Sequence, residues 1–241
     1  MTSASRNDQT SQSRTCGKHS TSNIEWVTTK KPEPSPQLLV PRTILLIGPT
    51  GAGKTPLGEY TEQHGYNGHH CTHLDFGATL RNIDTSLAPV GKLTTADITF
   101  IHKVLTEGAL LEDETFYIAE ELIKAHITAN ILTKNDYLLL NGLPRHIGQA
   151  KAIDKIVNIT NIIYLHCSPE TVYERISQNS GGDRTSRTDD TTEEIAKKLK
   201  IFETRTKPLL DHYTQIPITT IEISPKSTPN SIWKTYNEPL S

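Results

Sequence analysis

Gly48, Gly53, Lys54 and Thr55 follow the spacing G-x-x-x-x-G-K-[ST] inside LLIGPTGAGKTPLGEY, residues 45–60. This pattern handles phosphate. The small residues Gly48, Gly51, Ala52 and Gly53 let the backbone wrap an anion with its N–H groups, and the N-terminus of a following helix adds a partial positive charge. Lys54 reaches the terminal phosphates of a nucleoside triphosphate, and the Thr55 hydroxyl can hold magnesium. Pro56 is the irregular member. In a first helical turn its missing N–H costs the helix nothing, because those amides have no helical acceptor. Phosphate would use that donor, however, and proline disfavours helical dihedrals at the residue before it. Weakened but not abolished triphosphate binding is the expectation. Two further polar clusters, Asp75 to Arg81 and Asn141 to Arg145, each contain an arginine. Its planar fork of donors suits phosphate oxygens; an ordinary solvent-facing arginine is the alternative at Arg81.

The elements that must position these clusters are visible around them. Five β-rich apolar runs, TILLIG (43–48), THLDF (72–76), DYLLLNG (136–142), NIIYLHC (161–167) and PITTIEI (217–223), are each bounded by turn residues. Helix-like stretches alternate with them at residues 54–65, 96–108, 113–127, 148–158, 168–178 and 191–213. Strands apolar on both faces, alternating with helices, predict a five-stranded parallel sheet covered on each side, a three-layer α/β/α fold. In open sheets of this kind ligands sit at the carboxyl ends of the strands, where all three polar clusters fall. Residues 1–41 are rich in Ser, Thr, Asn, Gln and Pro and lack apolar periodicity. They read as a disordered tail, leaving 42–241 as the folded domain. An organelle transit peptide would share the tail's composition but would carry an amphipathic stripe.

Composition narrows the classes of function. A chain of 241 residues, 34% of them hydrophobic, can bury one good core but hardly two. A net charge of −2 gives no whole-molecule attraction to nucleic acid or anionic lipid, so neither partner is expected and any anion site is local. No apolar run approaches the ~20 residues that cross a bilayer. Cys16, Cys71 and Cys167 are odd in number and form no Cys-x-x-Cys pair, which fits a reducing, cytoplasmic setting. GHHCTH, 68–73, gathers His69, His70, Cys71 and His73 without a second ligand pair elsewhere. It reads as a polar turn, not a zinc site. The acidic residues of EDETF and EELIK read as a solvated helix face.

Four further stretches carry a resemblance: HLDFGATLR (73–81), NGLPRHIGQAKAID (141–154), YLHCSPETVYERI (164–176) and RTSRTDDTTEEIAKKLKIFETRTKPLLDHY (184–213). With the phosphate loop, in this order and spacing, they resemble the adenylate kinase family of nucleoside monophosphate kinases. The resemblance covers about 43–240. It implies a P-loop fold whose monomer, with Mg2+, transfers the γ-phosphoryl of ATP to AMP. A UMP/CMP-type kinase and a catalytically weak nucleotide-binding regulatory module are the alternatives. It further implies an inserted helical segment for the monophosphate at about 74–111, entered at Asp75, Phe76 and Gly77, with Arg81 on the α-phosphate. Gly142 and Arg145 match the second monophosphate-binding turn, and Gln149 a glutamine that bonds adenine, since an amide presents donor and acceptor together. Phe76 would stack on the base or fill core; its place before Gly77 favours the base.

A brief lid, NSGGDRTSRTD at 179–189, resembles the short-lid form and holds no cysteine, so structural zinc is not expected. Arg187 matches a lid arginine; Arg184 is near the family's other position, where Gly181 falls. Asp189 and Asp190 would orient these arginines or cap the next helix. Lys54, Arg81, Arg145, Arg184, Arg187 and Lys198 would together neutralise the phosphates. Some residues depart from the family. Asp75-Phe76-Gly77 stands where Ser-Thr-Gly is usual, and Lys198 replaces an arginine, keeping the charge without the fork. Asn141-Gly142 replaces Asp-Gly, whose acid holds magnesium through water; the asparagine oxygen can still bond such a water but adds no charge.

Overall fold

Runs of leucine and isoleucine become strands here because a covered parallel sheet buries both of their faces. The computed structural model describes residues 40–86, 90–130, 133–184 and 191–237, so nearly all of the proposed tail 1–41 lies outside the described residues. The strands are β1 (Arg42–Ile47), β2 (Cys71–Asp75), β3 (Tyr137–Asn141), β4 (Asn158–His166) and β5 (Ile218–Glu222). All pair in parallel, in the order β2-β3-β1-β4-β5. Each of the five apolar runs therefore forms a strand, as expected.

Alternate strand residues feed two separate cores, which makes the fold three-layered. Leu45, Ile47, Leu138, Leu140 and Ile162 point into the larger one, Ile44, Leu46, Leu139, Ile163 and Leu165 into the smaller. The smaller core is closed by α1 (Lys54–His64), through Leu57, and by a C-terminal helix at Pro229–Asn237, through Ile232 and Tyr236. The larger core takes α2 (Phe76–Ser86), α3 (Thr95–Glu107), α4 (Phe116–Asn130) and α5 (Ile147–Ile153). After β4 come α6 (Pro169–Ser177), α7 (Thr192–Ile201) and the short α8 (Leu209–His212), which makes the C-terminal helix α9.

Three differences from the sequence reading have local causes. The predicted helix 191–213 is broken: α7 ends in a π-type turn over Phe202–Thr206, where Lys207 N–H bonds Phe202 O at 2.8 Å. Pro208 follows, and a residue without an N–H cannot continue the α-helical ladder. Helix α2 is missing from the helix-like stretches because it overlaps the strand run THLDF, although the implied helical segment at 74–111 covers it, and Phe76, Leu80 and Ile83 sit at helical spacing and are all buried. Helix α9 offers only Ile232 and Tyr236 as buried anchors and is held by its packing on α1, including Trp233 Nε1 donating to Gly65 O at 2.9 Å. No helix among the described residues is long and apolar enough to cross a membrane.

Candidate active site

Between β1 and α1 the chain turns through Gly51 at φ 77° and Gly53 at φ 95°, a left-handed region where a side chain would be strained. Gly48 lies so close to β4 that a β-carbon on it would come within 3.0 Å of Leu165 O. Lys54 folds back across this loop, its Nζ donating to Gly48 O at 2.8 Å and Pro49 O at 2.7 Å. The first amide of α1 that finds a helical acceptor belongs to Leu57, bonded to Gly53 O at 3.1 Å. Pro56 thus precedes every donor the helix needs, as expected. Thr55, by contrast, lies inside α1, so proline has not displaced it from the helix. Its hydroxyl donates to the Asp75 carboxylate at 2.5 Å.

Asp75 ends β2 and Asn141 ends β3, opposite each other in the parallel register. Asn141 Nδ2 donates to Asp75 Oδ2 at 2.9 Å, and the other carboxylate oxygen accepts the Ala78 N–H at 2.8 Å. Burial alone would raise the pKa of Asp75, but the Thr55 hydroxyl, the Ala78 amide and the charges of His73 and Arg81 outweigh it and hold the carboxyl below its usual range.

A cleft of about 230 Å³ opens at this end of the sheet. Lys54 from α1, Arg81 from α2, Arg145 after β3, Arg184 after α6 and Lys198 from α7 all line it. Its apolar wall includes Leu80, Val104, Leu111 and Phe202. Arg145 is steered by Nε donating to Gly142 O at 3.0 Å, and Arg184 by Nη2 donating to Thr50 Oγ1 at 2.8 Å. Gly77 and Gly142 border the same cleft, and Ala52 is buried beneath the loop. Arg187, Asp189 and Asp190 lie outside the described residues.

Two side chains read from the sequence have further contacts in this setting. Phe76 is only 4% exposed and packs into the larger core, yet it also lines the cleft, so core filling and a place beside the cleft meet in one ring. Gln149 lines the cleft but is 1% exposed: its Oε1 accepts the Arg145 N–H at 2.7 Å and its Nε2 donates to Leu111 O at 2.8 Å. A base edge would therefore share this amide with the backbone that it already braces. Around GHHCTH, Cys71 is fully buried while His69 and His70 are exposed, so the string does not gather on one face. Among the described residues no group of three or more His, Cys, Asp or Glu side chains could hold a metal ion.

Arg175 carries a structural role that the sequence did not signal. Buried at 3% exposure on α6, it donates Nε to Gly51 O at 3.1 Å and Nη1 to Ser224 O at 2.9 Å and Ser227 O at 3.0 Å. One guanidinium thus ties the phosphate loop to the segment after β5. Its acceptors are backbone carbonyls of distant loops, which leave no mark on side-chain pattern.

Residues 46–218 match the adenylate kinase family. The adenylate kinase of Prochlorococcus marinus is 28% identical over 177 residues, spanning 71% of this chain and 84% of that protein. The adenylate kinase of Rickettsia bellii is 30% identical over 200 residues, spanning 70% and 85%. A gluconokinase of known structure from Sinorhizobium meliloti is 15% identical, with a TM-score of 0.47, over 82% of this chain and 90% of that one.

Proposed function

This chain belongs to the adenylate kinase family, and on that premise we propose that it transfers the γ-phosphoryl group of ATP to a nucleoside monophosphate, AMP in preference, to give two ADP. The observation that carries the reading is the convergence of Lys54, Arg81, Arg145, Arg184 and Lys198, from separate elements, on one cleft that begins at the phosphate loop. Phosphoryl transfer asks little covalent chemistry of a protein. It needs two anions brought together in line and the charge on the migrating group offset, which is what cations fixed at the rim of a water-excluding cleft provide. The loop amides and Lys54 would hold the triphosphate of ATP, and Arg81 and Arg145 the acceptor phosphate. Arg184 and Lys198 would face the group in transit, joined by Arg187 of the lid.

Magnesium would accompany ATP and offset charge on its β- and γ-phosphates. The residues present fit it: the Thr55 hydroxyl lies beside an Asp75 carboxylate oxygen at the loop, hard oxygen ligands of the kind such a cation takes directly or through water. The reading carries with it a monomeric, cytosolic enzyme, in keeping with the odd cysteine count.

A coupled assay supplying ATP with AMP, CMP, UMP or GMP tests the proposal, with fastest ADP formation expected for AMP. Faster turnover of CMP or UMP would move the assignment to a pyrimidine kinase. Tight ATP binding by folded protein that turns over none of the four would favour a nucleotide-binding regulatory module, the outcome toward which Asn141, Lys198 and Pro56 point.

A further inference from the structure

Asp75 stands among the residues of the triphosphate loop. Its Oδ2 accepts from Thr55 Oγ1 at 2.5 Å and from Asn141 Nδ2 at 2.9 Å, and Nδ2 is also 3.4 Å from Thr55 Oγ1. An ionised carboxylate can only accept, so the Asn141 atom turned toward it is the NH2 group. Asn141 therefore presents hydrogens, not its oxygen, beside the Thr55 hydroxyl. A metal-bound water there would find its acceptor on Asp75 instead. Helix capping explains only half of the aspartate, because the Ala78 N–H occupies Oδ1 whereas Oδ2 faces the loop.

The two side chains end neighbouring strands in direct register, Asp75 on β2 against Asn141 on β3. Strands lie about 4.8 Å apart, so an acid moved across one register position still reaches the same spot. We propose that Asp75 is the carboxylate that holds magnesium-bound water beside Thr55, and that Asn141 positions it: acid and neutral partner have exchanged strands. This rests on the loop being an ATP site. The neutral residue at the end of β3 then marks a relocated charge, not a lost one.

The test uses the full chain and measures Mn2+ binding in the presence of ATP by electron paramagnetic resonance, with ATP binding in EDTA measured by calorimetry. Asp75→Asn keeps a side chain able to cap α2 but removes the charge. It is expected to weaken Mn2+ binding in the ATP complex by about 10–100-fold, while ATP alone binds at least as tightly as to the unaltered protein. The double variant Asp75→Asn, Asn141→Asp, which returns the acid to β3, is expected to recover that loss. Unchanged Mn2+ affinity in Asp75→Asn, or no recovery in the double variant, overturns the proposal. If the single variant melts before it can be assayed, the double variant decides alone, because it must then match the unaltered chain. An unaltered chain that binds no ATP even in EDTA is a separate failure, of the loop reading itself, and takes the proposal with it.

Discussion

Gly58 shows how little room a single position can leave. On α1 it faces the ring of His73, and an added β-carbon would lie 2.2 Å from Nε2 and 2.3 Å from Cε1. A β-carbon there would have to displace the ring, whose Nε2 is a buried atom without a hydrogen-bond partner. Gly58→Ala is expected to destabilise the fold by about 1–3 kcal/mol through overpacking, despite alanine's better helix propensity. Adding His73→Ala should return much of that loss, because the two residues in contact are coupled. Thermal melts of the two single variants and the double check this; additive losses would show that the ring is not the obstacle.

Among the elements, α6 reaches furthest beyond its own packing. Arg175 bonds carbonyls of the loop after β1 and of the segment after β5, so one helix fixes two turns at once. Arg175→Lys keeps the charge but cannot span both sets of acceptors, because an ammonium lacks the planar fork. Leaving one set unsatisfied is expected to cost about 1–3 kcal/mol. ATP binding should weaken along with stability, since Gly51 belongs to the phosphate loop. Melting temperature and an ATP titration test the pair of effects, and a loss of stability without loss of affinity would separate the clamp from the site.

For the molecule as a whole, acid sensitivity follows from two histidines near the edge of the sheet. Burial lowers the pKa of His73, against the opposing pull of Asp75 and Glu62, and burial likewise lowers that of His126, which bonds the Thr72 hydroxyl at 3.0 Å. The unfolded chain takes these protons near the ordinary value of 6.5, the folded chain only at lower pH. The unfolded state therefore binds more protons as pH falls below 6.5, and stability drops there while staying intact above. Melting temperature is expected to decline as pH falls below 6.5, more shallowly in His73→Leu. Asp75 adds nothing in this window: its carboxyl, held below 3.8, supports the fold until pH falls past that range.

Much of this architecture can be read along the chain, because its signals are local. Glycine spacing specified the phosphate loop, and runs such as DYLLLNG specified strands, since both depend on neighbours a few residues apart. The arginines at the strand ends were visible for the same reason. Strand order was not, nor was the fate of side chains with two plausible uses. Phe76 packs in the core while lining the cleft, and Gln149, also at the cleft, braces the backbone of Arg145 and Leu111. Asp75, Thr55 and Asn141 meet across 20 and 66 residues, and Arg175 meets Gly51 across 124. No window of sequence holds such pairs; they exist only once the sheet has closed and set β2 beside β3.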